Sequence, residues 1–365
     1  MQAAIQFCQN RSEREFKDVG ELKHKIFITT PLPPANVASI RAVDPAQVAV
    51  IYEPDLLPPI RYIGDHGGAP FARDRDQERR WREALSNADI LWDLPRTTDD
   101  MAAASRVKWI QTTSTGVGQD VLALGILDSD ILITTARGVH AGPLAEFVFM
   151  ALLAHFRGLP HLMTEQRAHR WVRHCGEEVA GKTVTVLGAG DLARGIAKIG
   201  RAFDMRVVAV ARDVLKQRSD AQLFDAVYPT EDLHRVLAVS DAFVVAVPHT
   251  PATENMIDEA AFRAMKPGIA FVNIGRGQVV DEAALIDDLR SGRIGFACLD
   301  VTAIEPLPPE SPLWDLPNVL ISPHSASTVT TENDKITEIF CHNLRCFLDG
   351  RTTNMKNILD KRLMY

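Results

Sequence analysis

The segment VTVLGAGDLA at residues 184–193 constrains the fold more than any other part of the chain. Its apolar, β-branched half favours a strand, which runs directly into Gly188 and Gly190, and apolar residues recur at helical spacing from Leu192 onward. Gly188 permits a tight turn, Gly190 lets the backbone approach a pyrophosphate at the helix N-terminus, and Ala193 takes the place of a third glycine. The segment therefore predicts a dinucleotide-binding turn, and an ordinary strand–helix turn is the alternative.

Composition excludes several classes of protein. The 365 residues are enough for about two domains, and 46% hydrophobic with 24% charged residues is typical of a globular protein. No apolar run reaches membrane-spanning length and residues 1–10 do not resemble a signal peptide, so we expect no membrane partner. The five cysteines form no C-x-x-C pair, which favours reduced thiols in the cytoplasm and no metal site. A net charge of −7 argues against a nucleic-acid partner.

The first part of the chain alternates strands and helices. Short apolar segments typical of buried strands lie at residues 25–30, 48–52, 89–92, 108–111 and 131–134. A charged helix is predicted at 73–87. This alternation predicts a parallel α/β domain over residues 25–138. Residues 1–24 form an N-terminal extension whose order the sequence does not predict.

A second α/β pattern follows a long helix predicted at residues 143–155. Strands are predicted at residues 183–187, 206–211, 242–247, 269–274, 296–299 and 319–321. Asp258 and Asp281 are candidate helix N-caps. These elements predict a Rossmann domain over 139–325. A last helix at about 328–348 has no strand after it, so we assign residues 326–350 to the first domain.

Three polar side chains follow strands of the second domain, where open α/β sheets bind their ligands. Arg276 offers a two-pronged guanidinium that suits a carboxylate, and Glu305 and His324 lie in two further strand-end loops. Taken singly, each has an ordinary explanation: a surface charge, a solvated acid, and one of eleven histidines. Their shared position at the edge of a predicted dinucleotide-binding sheet favours a catalytic group.

Five ordered segments extend this pattern. They are GKTV at 181–184, VPHTPAT at 247–253, NIGRG at 273–277, LDV at 299–301 with EPL at 305–307, and PNV at 317–319 with PH at 323–324. Together they resemble the D-isomer-specific 2-hydroxyacid dehydrogenase family, including its glyoxylate and hydroxypyruvate reductases. The resemblance covers about residues 25–350.

The resemblance implies a flavodoxin-like substrate domain and a Rossmann dinucleotide-binding domain, both doubly wound, and a homodimer. It places the family's catalytic arginine, glutamate and histidine on Arg276, Glu305 and His324. It also implies that the loop at residues 114–118 binds substrate. The substrate contacts expected there are Thr115, Gly116, Val117 and Gly118, together with Arg276. The expected cofactor contacts are Gly188, Gly190, Asp191, Leu192, Arg212, Val247, Pro248, Thr253, Ile274 and Asp300.

The residue types predict hydride transfer between a nicotinamide cofactor and a small 2-keto or D-2-hydroxy acid. Arg276 would hold the carboxylate, and protonated His324 would donate a proton to the carbonyl oxygen. Glu305 would bind the other imidazole nitrogen and favour the imidazolium. A positioned acid of this kind contributes about 10²- to 10⁴-fold in rate.

Cofactor choice is decided at the end of the second Rossmann strand, where NAD-selective sites usually place an acid. Here Ala211 and Arg212 precede Asp213, and Arg212 could pair with a 2′-phosphate, assisted by Lys216 or Arg218. We therefore expect NADP. NAD stays possible if Asp213 reaches the ribose.

Two other functions are compatible with this sequence. One is a cofactor-sensing co-regulator without useful turnover, against which the intact Arg276, Glu305 and His324 argue. The other is a dehydrogenase of a different small anion such as phosphite. A formate dehydrogenase is not expected, because the formate enzymes of this superfamily resemble one another in having glutamine in place of Glu305. Regulated phosphoglycerate dehydrogenases of the family have an extra C-terminal domain, for which no residues follow Tyr365.

Four positions depart from the family pattern or leave their role open. Asp191 places a carboxylate in the phosphate turn, where it is tolerable as a helix N-cap. Asp204 stands where the family often has glycine, and Thr302 where an aromatic residue is frequent. Arg96 follows a strand of the substrate domain and could bind a second anionic group or face water.

Overall fold

The computed structural model describes residues 24–214, 223–362 and 364, and they divide into two compact units. The first unit contains the described residues of Met1–Val139 and Val329–Tyr365, and the second unit is His140–Thr328. Each unit is built on one parallel sheet, of five strands in the first and seven in the second. The predicted fold class, two α/β units with parallel sheets, is confirmed.

The sheet of the first unit has the strand order β2-β1-β3-β4-β5. Its strands are β1 (His24–Ile28), β2 (Val48–Ile51), β3 (Ile90–Trp92), β4 (Trp109–Gln111) and β5 (Leu132–Thr134). Its helices are α1 (Pro34–Arg41), α2 (Arg75–Asn87), α3 (Thr98–Ala103), α4 (Gly118–Ala123) and, from the far end of the chain, α11 (Glu332–Leu348).

Helix α11 completes the core of the first unit. The ring of Phe340 stacks on Trp109 at a centroid distance of 4.9 Å, and both side chains are fully buried. At the helix N-terminus, Nδ2 of Asn36 donates a 2.8 Å hydrogen bond to Oδ1 of Asp334. The apolar face of α11 therefore packs on the five-stranded sheet, and its length provides the burial that stabilises an amphipathic helix.

The sheet of the second unit has the order β12-β11-β10-β9-β6-β7-β8. Its strands are β6 (Thr183–Leu187), β7 (Arg206–Val210), β8 (Ala226–Tyr228), β9 (Ala242–Val245), β10 (Ile269–Asn273), β11 (Ile294–Leu299) and β12 (Val319–Ile321). Its helices are α5 (Ala141–Phe156), α6 (Leu159–Arg167), α7 (Asp191–Ala202), α8 (Leu233–Leu237), α9 (Glu259–Ala264) and α10 (Glu282–Arg290).

The strand β8 is absent from the sequence-based prediction, and the last helix begins later than predicted. Strand β8 has only three residues, between Asp225 and Pro229 at the sheet edge, which is too short for a strand periodicity to show. Helix α11 begins at Glu332, four residues after the predicted start.

The predicted caps are confirmed, because the side chains of Asp258 and Asp281 accept hydrogen bonds from backbone N–H groups in α9 and α10.

Searches for membrane-spanning helices and metal sites gave two findings for the described residues. No single helix among them is long and apolar enough to cross a membrane, and one pair, α5 and α6, passes on length and composition but is bent by 63°. The same residues contain no group of three or more His, Cys, Asp or Glu side chains that could hold a metal ion.

Candidate active site

The glycine turn after β6 has the geometry of a cradle for a phosphate group. Gly188 has a φ of +110°, and a Cβ there would lie 3.0 Å from the carbonyl oxygen of Ala246. Gly190 is the N-cap of α7, and a Cβ placed on it would meet no heavy atom within 4 Å. The turn therefore leaves open space beside the first N–H groups of a twelve-residue helix, which suits a pyrophosphate.

Asp191 is not the N-cap that the sequence suggested. The backbone of Gly190 is extended, with φ −82° and ψ −162°, so Gly190 takes the cap position and Asp191 is the first helical residue. Its Oδ1 pairs with Nη1 of Arg194 at 2.9 Å. This ion pair offsets part of the repulsion that the carboxylate would exert on a phosphate.

Two further glycines of α7 shape this unit and were missed by sequence reasoning. A Cβ on Gly195 would lie 2.8 Å from the carbonyl oxygen of Ala141 in α5, and one on Gly200 would lie 2.7 Å from Cγ2 of Val207. Both positions therefore need glycine for close packing. The sequence contains a signal for this close packing, because two glycines in the interior of a helix are seldom tolerated without a packing reason.

The cofactor-selecting position follows β7. Arg212 and Asp213 are both exposed there, directly after buried Ala211. Lys216 and Arg218, the suggested assisting groups, lie outside the described residues.

The loop after β9 is closed by Thr253. Its Oγ1 donates to the carbonyl oxygen of Pro248 at 2.8 Å and accepts from the backbone N–H of Thr250 at 2.8 Å. The next loop packs tightly against it, since a Cβ on Gly275 would lie 2.7 Å from the carbonyl oxygen of Val247. Ile274, an expected cofactor contact, is 4% exposed at the start of that second loop.

Arg276 is held by its own loop. Asn273 accepts from the N–H of Gly275 at 3.0 Å and donates to the carbonyl oxygen of Arg276 at 3.1 Å. The Arg276 guanidinium donates through Nη1 to the carbonyl oxygen of Gly275 at 2.7 Å. The side chain is partly exposed, and its other N–H donors can bind a carboxylate.

The arginine loop is in direct contact with the loop that contains Glu305. A Cβ on Gly277 would lie 1.9 Å from the carbonyl oxygen of Thr302, so only glycine fits. Nε2 of Gln278 donates to the carbonyl oxygen of Ala303 at 3.0 Å. These contacts fix the two loops together.

Glu305 and His324 form a hydrogen-bonded pair. Oε2 of Glu305 lies 2.8 Å from Nδ1 of His324, and Oε1 accepts from the N–H of Thr302 at 3.3 Å. The two side chains are 37% and 48% exposed, so a substrate can reach them. Because the hydrogen bond uses Nδ1, Nε2 is the imidazole atom that can exchange a proton with a ligand.

Asp300 positions the histidine loop. Its Oδ1 accepts three hydrogen bonds, from Oγ of Ser322 at 2.7 Å and from the N–H groups of Ser325 and Ala326 at 2.9 Å. Its carbonyl oxygen accepts from the N–H of His324 at 2.9 Å. The φ of +52° at His324 is unusual for a residue other than glycine and is maintained by these contacts. The sequence indicated Asp300 only as a cofactor contact.

The neighbouring Cys298 thiol is fully buried. Burial, with a further contribution from the charge of Asp300, raises the pKa of Cys298 to about 12. The thiolate is therefore scarce at neutral pH.

The candidate substrate loop lies in the first unit, at the carboxyl end of β4. Thr115 and Gly116 are exposed, while Val117 and Gly118 are buried. Gly118 must be glycine, because a Cβ there would lie 2.5 Å from the carbonyl oxygen of Met364. Arg96 has a role that the sequence did not predict: its Nη2 donates to the carbonyl oxygens of His66 and Gly67, at 2.8 and 2.9 Å.

Comparison with known proteins identifies the family of this chain. The sequence model described as "D-isomer specific 2-hydroxyacid dehydrogenase, NAD binding domain" matches residues 149–326. The D-3-phosphoglycerate dehydrogenase of Mycobacterium bovis is 35% identical over 316 residues, which are 82% of this chain and 57% of that protein. The chain thus spans little more than half of that relative. The glyoxylate reductase of Aeropyrum pernix is 34% identical over 230 residues, which are 60% of this chain and 68% of that protein.

A solved structure is similar along most of the chain. It is a D-isomer specific 2-hydroxyacid dehydrogenase from Xanthobacter autotrophicus Py2, crystallised with NADPH and MES. The alignment covers 94% of this chain and 100% of that chain, at 26% identity and a TM-score of 0.74. With the glycine turn and the strand-end loops described above, these similarities show that the chain belongs to the D-isomer-specific 2-hydroxyacid dehydrogenase family.

Proposed function

We propose that this protein is an NAD(P)-dependent reductase of small 2-keto acids that also oxidises the corresponding D-2-hydroxy acids. The main support is the 2.8 Å hydrogen bond between Glu305 and His324, in the unit that has the dinucleotide turn. The contact between the loops of Arg276 and Glu305 adds a carboxylate-binding group to the same set of loops.

Each side chain has a role that follows from its chemistry. Arg276 binds the substrate carboxylate through its free N–H donors. His324, protonated, donates from Nε2 to the carbonyl oxygen as negative charge develops there, and Glu305 stabilises the imidazolium through Nδ1. A nicotinamide cofactor, when bound, would supply the hydride for the carbonyl carbon. Hydride and proton together account for the two electrons and two hydrogens gained by the keto acid.

The substrate loop supplies neutral donors. The N–H groups at residues 116–118 can bind the carboxylate without adding charge, as backbone groups at a helix N-terminus do elsewhere. The buried side chain of Val117 anchors the loop while Thr115 and Gly116 stay exposed.

A substrate panel tests the proposal. Glyoxylate, hydroxypyruvate, pyruvate and phenylpyruvate are assayed with NADH and with NADPH, and phosphite is assayed with NAD⁺ and with NADP⁺. We expect turnover of at least one keto acid. Cofactor binding without turnover would favour the co-regulator instead, and oxidation of phosphite alone would favour the phosphite dehydrogenase.

We also propose that NADP is the preferred cofactor. Exposed Arg212 directly follows β7, and the similar structure from X. autotrophicus was crystallised with NADPH. Arg212→Ala should raise KM for NADPH about tenfold to a hundredfold and leave KM for NADH nearly unchanged. Arg206→Ala, at the amino end of the same strand, is the matched control. Equal losses with both cofactors, or a wild-type preference for NADH, would contradict the assignment.

A homodimer built on the second unit is the assembly we propose. Apolar side chains on α5, on α6 and after them are exposed: Met150 45%, Leu159 45%, Leu162 44%, Met163 42%, and Trp171 98%. Several exposed large apolar side chains on neighbouring segments are typical of an interface. We propose a cytoplasmic location, because the four described cysteines are all free thiols. Sedimentation as a monomer at micromolar concentration would contradict the dimer.

A further inference from the structure

The chain that follows α11 returns to the sheet of the first unit and pairs with β5, the last strand in the order of that sheet. The N–H of Thr135 donates to the carbonyl oxygen of Asn357, and the N–H of Leu359 donates to that of Ile133, both at 2.9 Å. We call residues 357–362 and 364 the tail segment. It covers a sheet edge whose backbone groups would otherwise need other partners.

Leu359 joins the tail segment to the apolar core beneath the substrate loop, residues 114–118. It is 6% exposed and belongs to the same buried cluster as Val117 and Val121. Val117 is the buried anchor of the substrate loop, and Val121 lies in α4, directly after the loop. Burial of this shared apolar surface favours contact between the tail segment and the loop.

Lys361 ties the tail segment to the turn that follows α4. Its Nζ donates to the carbonyl oxygens of Ile126 and Ser129, at 3.1 and 2.6 Å, and to Oγ of Ser129 at 3.2 Å. Burial lowers the pKa of this amine, and the charges of Asp128 and Asp130 oppose that shift. An ammonium group has three N–H donors, so these three acceptors match its full capacity. Lys361 is therefore an anchor of the tail segment.

Met364 lies directly against the last residue of the substrate loop. A Cβ on Gly118 would be 2.5 Å from the carbonyl oxygen of Met364 and 2.7 Å from its Cβ. The N–H of Met364 donates to the carbonyl oxygen of Asp360 at 2.8 Å, which holds Met364 in this position. The tail segment thus contacts α4 at its first residue and, through Lys361, at the turn beyond its last.

The beginning of the substrate loop is also connected to the tail segment, through the residues that follow β5. The carbonyl oxygen of Ser114 accepts from the N–H of Ala136 at 3.1 Å. Nδ2 of Asn357 donates to the carbonyl oxygens of Thr135 and Arg137, the two neighbours of Ala136, at 3.1 and 2.8 Å. Both ends of the loop are therefore held by contacts that lead to the tail segment.

We propose that the tail segment positions the substrate loop, so that the N–H groups of residues 116–118 point at the substrate carboxylate before it binds. The inference rests on the proposed function, which assigns carboxylate binding to this loop. Backbone donors bind a ligand well only when their directions are fixed in advance, because ordering a loose loop reduces affinity. All of these contacts lie in the first unit, whereas the dinucleotide turn is in the second. The tail segment should therefore affect substrate binding and leave cofactor binding unchanged.

Lys361→Met tests the anchor, because methionine keeps much of the apolar stem and removes all three hydrogen bonds. We expect KM for the best 2-keto acid of the panel to rise about five- to tenfold, with kcat changed by less than about twofold and KM for the cofactor unchanged. Hydrogen exchange of the substrate-free protein gives a readout that needs no turnover. The backbone N–H groups of residues 115–121 should exchange at least about tenfold faster, and those of α7 at the wild-type rate.

Gly118→Ala disturbs the same contact from the side of the loop, because the added Cβ must displace Met364. It should also raise KM for the 2-keto acid. The double variant Gly118→Ala with Lys361→Met should raise KM by less than the product of the two single effects, because both substitutions release the same contact.

Two controls separate positioning from charge and from stability. Arg362→Met removes an equal charge at the next, exposed position of the tail segment and should leave KM and loop exchange unchanged. Nδ2 of Asn36 donates to Asp334 and Thr337 of α11. Asn36→Ala should therefore lower the unfolding temperature of the protein, while KM and the exchange of residues 115–121 keep their wild-type values.

The results that would overturn the inference also separate it from the proposed function. A Lys361→Met protein with wild-type exchange in the substrate loop, or with faster exchange and an unchanged KM, would overturn the inference alone. An equal rise of KM in Asn36→Ala would do the same, because general stability would then set substrate affinity. A wild-type protein that turns over no 2-keto acid would overturn the proposed function and this inference with it.

Discussion

The carboxyl edges of the two sheets differ in how their polar side chains are held. In the second unit, Asp300 accepts three hydrogen bonds from the loop of His324, and Asn273 makes two within the loop of Arg276. In the first unit, buried Thr30 and Trp92 have side-chain atoms without a partner among the described residues. The hydrogen bonds of the second unit therefore fix its side chains before a substrate binds.

The hydrogen bonds of the second unit fit the role proposed for His324. A proton donor must be placed accurately before the substrate arrives, so the protein supplies the hydrogen bonds that place it.

The largest effect is expected at His324, at the carboxyl edge of the second sheet. His324→Ala should lower kcat/KM by two or more orders of magnitude while cofactor affinity changes little, because the proton donor is lost but the dinucleotide turn is intact. Steady-state kinetics and a cofactor titration measure the two quantities. His234→Ala, at an exposed histidine of α8, is the control. Near-native turnover by His324→Ala would remove the proposed mechanism.

Asp300→Ala tests whether the histidine loop is held in advance. Three hydrogen bonds to one buried carboxylate oxygen are lost, so we expect a loss of about 3 kcal/mol in unfolding free energy and at least a tenfold fall in kcat. Urea unfolding and kinetics measure these effects. Asp300→Asn keeps an oxygen acceptor and should lose less of both. If Asp300→Ala kept the wild-type kcat, the loop would not need the carboxylate.

The carboxyl edge of the second sheet is predictable from the sequence because its signals are local. Arg276, Glu305 and His324 each follow a strand whose apolar run is visible in the sequence, and parallel strands bring such ends to one edge. Asp258 and Asp281 were found as helix caps for the same reason.

The other features depend on contacts between distant segments. The close packing at Gly277 is set by Thr302, a residue 25 positions away, and the braces on His66 come from Arg61, Asp65 and Arg96. The backbone at Asp204 is a second feature that the sequence does not reveal. Asp204 stands where the family often has glycine, and its φ of +54° explains that preference. Such backbone constraints can be measured only in the structure.

Glu305→Gln should have a smaller effect than His324→Ala. The carboxylate pairs with Nδ1 of His324 at 2.8 Å and stabilises the charged imidazole that the reductive reaction needs. The amide has no charge, so we expect kcat for keto-acid reduction to fall by about tenfold or less, because both side chains are partly exposed, while cofactor affinity changes little. Glu310→Gln is the control at an exposed site. A Glu305→Gln protein with wild-type kcat would mean that Glu305 does not act through His324.

The smallest effect is expected at the loop that presents His66 in the first unit. The Arg61 guanidinium beside it holds the pKa of the Asp65 carboxyl well below its usual range, despite the opposing effect of burial. A carboxyl whose pKa is lowered by folding adds stability above its unfolded pKa of about 4, and the protein loses that stability as the pH falls further. Asp65→Asn should therefore lower the unfolding temperature by a few degrees at pH 7, and the difference from wild type should shrink below pH 4. Asp76→Asn, in an exposed ion pair with Arg79, should change the unfolding temperature little at any pH. A difference for Asp65→Asn that did not vary with pH would show that hydrogen-bond geometry, and not charge, holds this loop.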